Sequence, residues 1–250
     1  VFSVKWSKII ISNSRQSLDL QLIWEWAFSK VSKYKDPDYN KFYAIKTLRK
    51  GSTDREIERF KKEFEILKKL NFPYILEVYS FDNEKYSYTM EYCENTLKKY
   101  ITTKNNQLWF PVRKRIALQF LYAMNYLHSK EILHRDISYT NILIKEFDGA
   151  VMIKLSDFWL MKEKDSDFTN KDTEIKWTII DPTLHSFKDY SIANELYSIG
   201  FILQFIFTGK QNFQSNKTPL SNTIEKCTNL DLEKRHKSVG EIIMAVEWLT

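Results

Sequence analysis

Along the first third of the chain, apolar and polar residues alternate with a period of two; beyond it the period lengthens to that of a helix. Alternation over residues 3–11, 18–23, 42–48 and 76–81 predicts half-buried antiparallel strands, with Lys35-Asp36-Pro37-Asp38-Tyr39-Asn40 as turn chemistry between two of them. Between the third and the fourth, residues 54–70 carry Ile57, Phe60, Phe64 and Leu67 at the spacing of one helix face. Residues 86–91 make the last strand of this half and run into a short connector. After it, residues 97–101 predict a short helix. Pro111 then takes the first-turn position of a long helix that runs to His128, with Ile116, Phe120, Leu121, Met124 and Leu127 as its core stripe. Ile132-Leu133, Ile142-Leu143-Ile144 and residues 151–155 predict short strands. A buried helix over residues 192–208 stops at Gly209, and residues 223–227 and 240–249 supply two more. The expectation is an α+β architecture, a small antiparallel-sheet lobe with one helix joined to a larger, mainly helical lobe.

Composition narrows the function classes. A chain of 250 residues, 43% hydrophobic and 28% charged, is large enough for a core without staples and too apolar for disorder. Cys93 and Cys227 are too few for a disulfide framework and lack metal-ligand spacing, which makes a cytoplasmic setting the expectation. The net charge of +6 is spread over every segment rather than gathered in a stripe, so no nucleic-acid partner is expected. The most apolar run, residues 198–207, is too short to span a bilayer and is interrupted by Gln204, so no membrane span is expected. Opening at Val1 without a Met or a signal segment, the chain reads as a domain of a longer protein. Gly is scarce, 5 in the whole chain against a norm of about 7%, while Trp reaches 7.

Candidate chemistry lies in His134-Arg135-Asp136-Ile137-Ser138-Tyr139-Thr140-Asn141, followed sixteen residues after Asn141 by Asp157-Phe158-Trp159. This order offers a carboxylate to a hydroxyl and hard oxygen ligands to Mg²⁺. Upstream, Ala44-Ile45-Lys46 lies on a predicted strand, and Glu63 lies on the predicted helix, eight residues before Asn71-Phe72-Pro73. A lone lysine on a strand is mostly a snorkelling surface residue, and Glu58 and Glu65 read as solvated helix-face charges.

In that order the motifs resemble those of the protein kinase family, of the eukaryotic Ser/Thr type, over nearly the whole chain. The resemblance implies a single catalytic domain over residues 1–250, with a small lobe to about residue 91 and the hinge and large lobe over about 92–250. It implies ATP and Mg²⁺ as cofactors and a protein as substrate. Lys46, paired with Glu63, would neutralise the α- and β-phosphates; Asp136 would accept the substrate proton; Asn141 and Asp157 would hold metal. Met90 resembles the gatekeeper, with the backbone of Glu91 and Cys93 bonding adenine and Ile23, Val31, Ala44 and Leu143 sandwiching it. His134 resembles a structural residue packed beneath the loop. Arg135 marks an activation segment ordered by phosphate, so Ser166, Thr169 and Thr173 become expected autophosphorylation sites. Thr178 resembles the substrate-loop threonine of Ser/Thr kinases.

The sequence departs from the family at four places. Ser138 replaces the lysine that supports the γ-phosphate, so one stabilising charge is missing. Asp181-Pro182-Thr183 takes the place of A-P-E without its glutamate, which is expected to leave Arg235 without its usual partner. Glu195 stands for an aspartate. Finally, residues 23–31 match I-G-x-G-x-F-G-x-V with Trp24 and Trp26 at two glycines and Ser29 at the third, while Trp159 and Trp177 take two further glycine places. Those glycines let backbone N–H groups approach phosphates without a Cβ in the way.

Two readings follow from the tryptophans. In one, the gene comes from a bacterial lineage that reads UGA as glycine, and the chain is an ATP- and Mg²⁺-dependent Ser/Thr kinase; recoding all 7 tryptophans would raise Gly from 5 to 12. In the other, the indoles of Trp24, Trp26 and Trp159 plug the nucleotide pocket of a non-catalytic pseudokinase scaffold. A small-molecule kinase is a third reading, disfavoured by the intact His134-Arg135-Asp136 and the substrate-loop segment.

Overall fold

The computed structural model describes residues 6–10, 17–25, 28–158, 179–213 and 215–250. The chain divides into two compact units, one of Val1–Asn71 with Leu76–Tyr92 and one of Phe72–Ile75 with Cys93–Thr250.

The first unit is a six-stranded sheet. Its strands are β1 (Trp6–Ile10), β2 (Ser17–Glu25), β3 (Ser29–Asp36), β4 (Lys41–Leu48), and, after helix α1 (Asp54–Lys69), β5 (Val78–Asp82) and β6 (Ser87–Glu91). They lie in the order β1-β2-β3-β4-β6-β5, every neighbouring pair antiparallel. Strand β3 is not among those the alternation predicts: its buried positions, Ser29 and Val31 on one face and Ser32 and Tyr34 on the other, include a serine on each face, so no apolar alternation marks it. Helix α1 begins with a capping box, in which Thr53 Oγ1 accepts the Glu56 N–H at 3.3 Å and Glu56 Oε2 accepts the Thr53 N–H at 2.7 Å. Of the predicted stripe, Phe60, Phe64 and Leu67 are buried and Ile57 is half-buried, with Phe60 and Phe64 against Tyr88 of β6 at ring separations of 5.0 and 5.6 Å.

The second unit opens with β7 (Asn95–Thr96), α2 (Leu97–Lys104) and α3 (Phe110–Ser129), then β8 (Ile142–Phe147) and β9 (Ala150–Leu155), and ends in α4 (Ile192–Thr208), α5 (Pro219–Thr228) and α6 (Val239–Glu247). Strands β7, β8 and β9 form a small antiparallel sheet. The short segment Phe72–Ile75 packs here: Leu155 N–H donates to Tyr74 O at 2.8 Å, and the Phe72 ring stacks on Tyr126 of α3 with centroids 4.5 Å apart. Ile132-Leu133 is not a strand. The amides of Lys130, Glu131 and Ile132 donate to the carbonyls of Leu127, His128 and Leu127, all at 3.0 Å, so they close the end of α3 and are spent for a ladder. Helix α4 is buried along most of its length and stops at Gly209, whose φ of 71° is the left-handed cap expected from sequence.

Candidate active site

In the first unit, register brings three expected residues into line with Tyr88. Trp24 pairs with Val31, Val31 with Lys46, and Lys46 with Tyr88, and cross-strand partners share a face, so all four lie in one row across the sheet. Ala44 and its partner Met90 make the adjacent row on that face, with Val31, Ala44 and Met90 buried. Between Leu22 and Trp24 the register slips, so Ile23 is the extra residue of a bulge, a device that re-aims side chains beside sites.

Lys46 is 6% exposed and Glu63 1%. The lysine Nζ donates to Glu63 Oε1 at 2.9 Å and Oε2 at 3.1 Å, so the α1 carboxylate grips the β4 ammonium with both oxygens. Burying two charges is expensive unless they are paired this closely, and such pairs are a weak device for stability. At the end of β6, the Glu91 N–H donates to Glu77 O at 3.0 Å, and Glu91 Oε1 accepts the Glu77 N–H at 2.9 Å.

In the second unit the loop after α3 is built from hydrogen bonds that fix each member. His134 is fully buried; its Nδ1 accepts the Asp136 N–H at 3.3 Å, so Nε2 carries the proton and donates to Ser156 O at 2.9 Å. Its ring packs on Phe158, centroids 4.8 Å apart. Asn141 Nδ2 donates to both the Asp136 carbonyl and the Asp136 carboxylate, each at 2.9 Å. Both partners are acceptors, so the amide nitrogen must face Asp136, and Oδ1 is the atom with ligand chemistry. Asn141 O in turn accepts the Ser156 N–H at 2.9 Å, which ties the loop to the residue before Asp157. Arg135 and Asp157 both hold positive φ, 65° and 60°, a strained backbone of the kind concentrated at functional sites.

Glu195 of α4, fully buried, holds this loop from below. Its Oε1 accepts the Arg135 N–H at 2.8 Å, and its Oε2 meets His128 Nε2 at 2.6 Å. The sequence reading missed His128 as a partner, and only its place at the end of the α3 stripe could have drawn attention to it. Ser138, 3% exposed, is turned inward: its hydroxyl meets Thr140 Oγ1 at 3.0 Å and accepts the Asn141 N–H at 3.3 Å. Leu143 lies on β8 opposite Lys154, half-buried, and Cys93 is half-buried at the start of this unit. Trp26, Trp159, Trp177 and Thr178, with Ser166, Thr169 and Thr173, lie outside the described residues.

Asn141 Oδ1 and the Asp157 carboxylate are hard oxygen donors and fit a small divalent cation that takes its other ligands from phosphates and water. Among the described residues, no three His, Cys, Asp or Glu side chains gather in a cluster that could hold a metal on its own. No helix among them is long and apolar enough to cross a membrane.

A family model described as the protein kinase domain matches residues 19–244. The chain belongs to the protein kinase family. Its antiparallel-sheet N-terminal part and helical C-terminal part are those of the bilobal kinase fold. Among similar curated proteins, serine/threonine-protein kinase AtPK2/AtPK19 of Arabidopsis thaliana is 28% identical over 211 residues, which cover 83% of this chain and 44% of that protein. Serine/threonine-protein kinase TIO of the same plant is 31% identical over 202 residues, covering 79% of this chain and 15% of that one. Probable serine/threonine-protein kinase samkA of Dictyostelium discoideum is 28% identical over 246 residues, covering 95% and 37%. The chain thus spans less than half the length of these relatives.

Arg235 lacks the family's usual glutamate, as expected, and another acid takes its place. Arg235 does have a partner: both of its terminal nitrogens donate to the Asp181 carboxylate, Nη1 to Oδ2 and Nη2 to Oδ1, the latter at 3.0 Å. Both side chains are 1% exposed. The carboxylate missing at Thr183 is supplied two residues earlier in the same tripeptide. The sequence showed that acid, but not that the backbone turn at Pro182 and Thr183 would aim it at the arginine. Burial by itself pushes the Asp181 carboxyl up; hydrogen bonds from Arg235 and Thr183 outweigh it and hold the group below its usual range.

Proposed function

We propose that this chain transfers the γ-phosphoryl group of ATP, with Mg²⁺, to Ser or Thr hydroxyls of a protein. The observation that carries the reading is the bond pair from Asn141 Nδ2 to Asp136, which sets a carboxylate and a carboxamide oxygen in fixed relation on one loop. Asp136 accepts the proton of the attacking hydroxyl. Lys46, held by Glu63, presents its ammonium to the α- and β-phosphates. Asn141 and Asp157 would hold the metal, which when bound would supply charge neutralisation to the phosphate oxygens. Ile23, Val31, Ala44 and Leu143 would supply apolar surface to adenine, and the backbone of Glu91 and Cys93 would supply its hydrogen bonds. With Ser138 engaged inside the loop, no lysine reaches the γ-phosphate from that position, so positioning and metal carry more of the stabilisation. The serine/threonine kinases among the relatives, and Thr178 in the substrate loop, support Ser/Thr over Tyr.

The second reading, a non-catalytic scaffold, is favoured by one observation: a literal Trp24 stands in the same row as Val31 and Lys46. Codons decide first. UGG at positions 24, 26, 159 and 177 removes the recoding argument, and UGA supports it. The assay is incubation with labelled ATP, Mg²⁺ and generic protein substrates, using the literal polypeptide and a version with glycine at those four positions. Label on protein Ser or Thr from the glycine version is expected. No transfer from either version overturns the enzyme reading, and label only on small molecules moves it to a small-molecule kinase.

A further inference from the structure

Residues 179–183, which follow the expected substrate loop, are fastened at three points. Ser198 Oγ of α4 donates to Ile179 O at 3.0 Å. Asn194 Nδ2, also on α4, donates to Asp181 Oδ2 at 3.0 Å. Arg235 grips the whole Asp181 carboxylate, and Asp181 Oδ1 also accepts the Thr183 N–H at 3.0 Å and the Thr183 hydroxyl at 2.8 Å. The arginine is itself fixed. It donates to Asn229 O at 2.5 Å and to Ala193 O at 2.9 Å, and its guanidinium lies 5.2 Å from the centre of the Tyr197 ring. Asp181 Oδ1 accepts three hydrogen bonds and Oδ2 two, and a carboxylate this committed is a fixed point rather than a surface charge.

We propose that Asp181 is the positioning residue for the peptide-binding segment of this kinase, having taken over the arginine anchor that the family's glutamate would supply at position 183. The inference rests on the Ser/Thr kinase reading for its substrate. Asp181 does not touch the reacting atoms. It acts by holding the chain that follows Thr178 against α4, so that an incoming peptide meets a preformed surface rather than one it must order. The geometry also says how the anchor could move back. Thr183 Oγ1 lies 3.5 Å from Arg235 Nη2, so a longer acidic side chain at position 183 has the reach to replace Asp181.

The test compares Asp181→Asn with the double variant Asp181→Asn/Thr183→Glu in whatever version of the chain is active. Asp181→Asn preserves shape and removes charge, and is expected to raise the KM for a peptide substrate about tenfold while leaving the KM for ATP within about twofold. The double variant is expected to bring the peptide KM back. If Asp181→Asn lowers only the melting temperature and leaves the peptide KM unchanged, or if the double variant regains its melting temperature without regaining the peptide KM, the proposal is overturned. If the parent chain transfers no phosphate at all, it is the kinase reading that fails. The anchor is then judged by amide hydrogen exchange over residues 179–184. Faster exchange in Asp181→Asn that the double variant reverses supports it, and unchanged exchange overturns it.

Discussion

At the scale of single residues, the site shows side chains with little freedom left. Asp136 is held from its own loop by Asn141, and that loop hangs on Glu195 through the Arg135 amide. Asp136→Asn keeps the shape and removes the proposed proton acceptor, so kcat is expected to fall about 10²–10⁴-fold while nucleotide binding, read by thermal shift, persists. Glu63→Ala is expected to be the more damaging change to folding, because it takes a two-oxygen carboxylate grip away from the buried Lys46 ammonium. Urea unfolding should show a loss of about 3–5 kcal/mol. Titration works on other residues. His236, 6% exposed, is shifted below its ordinary 6.5, first by burial and also by Lys226, with Glu241 acting against both. A group whose folded pKa is depressed contributes stability above its unfolded value and loses it as pH falls. The urea midpoint should therefore decline from about pH 6.5 downward through His236, and further as pH drops below the ordinary Asp range through Asp181. Asp181→Asn should lessen the second decline, to which the depressed carboxyls of Asp82, Asp231 and Glu241 also contribute, and leave the first.

Whole elements carry these residues to their places. Glu63 arrives because α1 starts at Thr53, and Thr53→Ala should cost about 1 kcal/mol in urea unfolding through loss of the cap. Glu195 and Asn194 arrive on α4, which crosses α5 at Gly200. A Cβ there would stand 2.8 Å from Cys227 Cβ and Thr228 Cγ2, so Gly200→Ala should lower stability by about 1–3 kcal/mol, checked the same way. Most of these elements were legible in the sequence because their apolar positions keep one period: the α1 stripe, the α3 stripe and the stop at Gly209 all do. Strand β3 was not legible, since two of its buried positions are serines that read as surface. Ile132-Leu133 read as a strand because two β-favouring apolar residues stand together, while the Ile132 amide is spent locally in closing the end of α3 on Leu127. The site divides the same way. Motif order named Lys46, Glu63, Asp136, Asn141 and Asp157. The hand-over from position 183 to Asp181 depends on a turn geometry that residue identity does not encode.

At the scale of the molecule, the question of enzyme or scaffold becomes a binding measurement. Mg·ATP at 100 times its dissociation constant should stabilise a competent chain by about 2.7 kcal/mol, visible as a raised melting temperature. The glycine version is expected to show that shift and the literal tryptophan version little or none. A shift of equal size in both would mean that the indoles do not obstruct the nucleotide. The tracing of the backbone has one further effect. Phe72–Ile75 lies between two stretches of the sheet unit yet belongs to the helical one, where Tyr74 O takes the Leu155 N–H and Phe72 stacks on Tyr126. The two units are therefore not cassettes. A chimera that grafts residues 1–92 from a relative also imports four residues of the other unit's packing, and its success will turn on whether the foreign residues at 72 and 74 suit Tyr126 and Leu155. Recombination among such genes should favour crossovers that keep those positions from one parent.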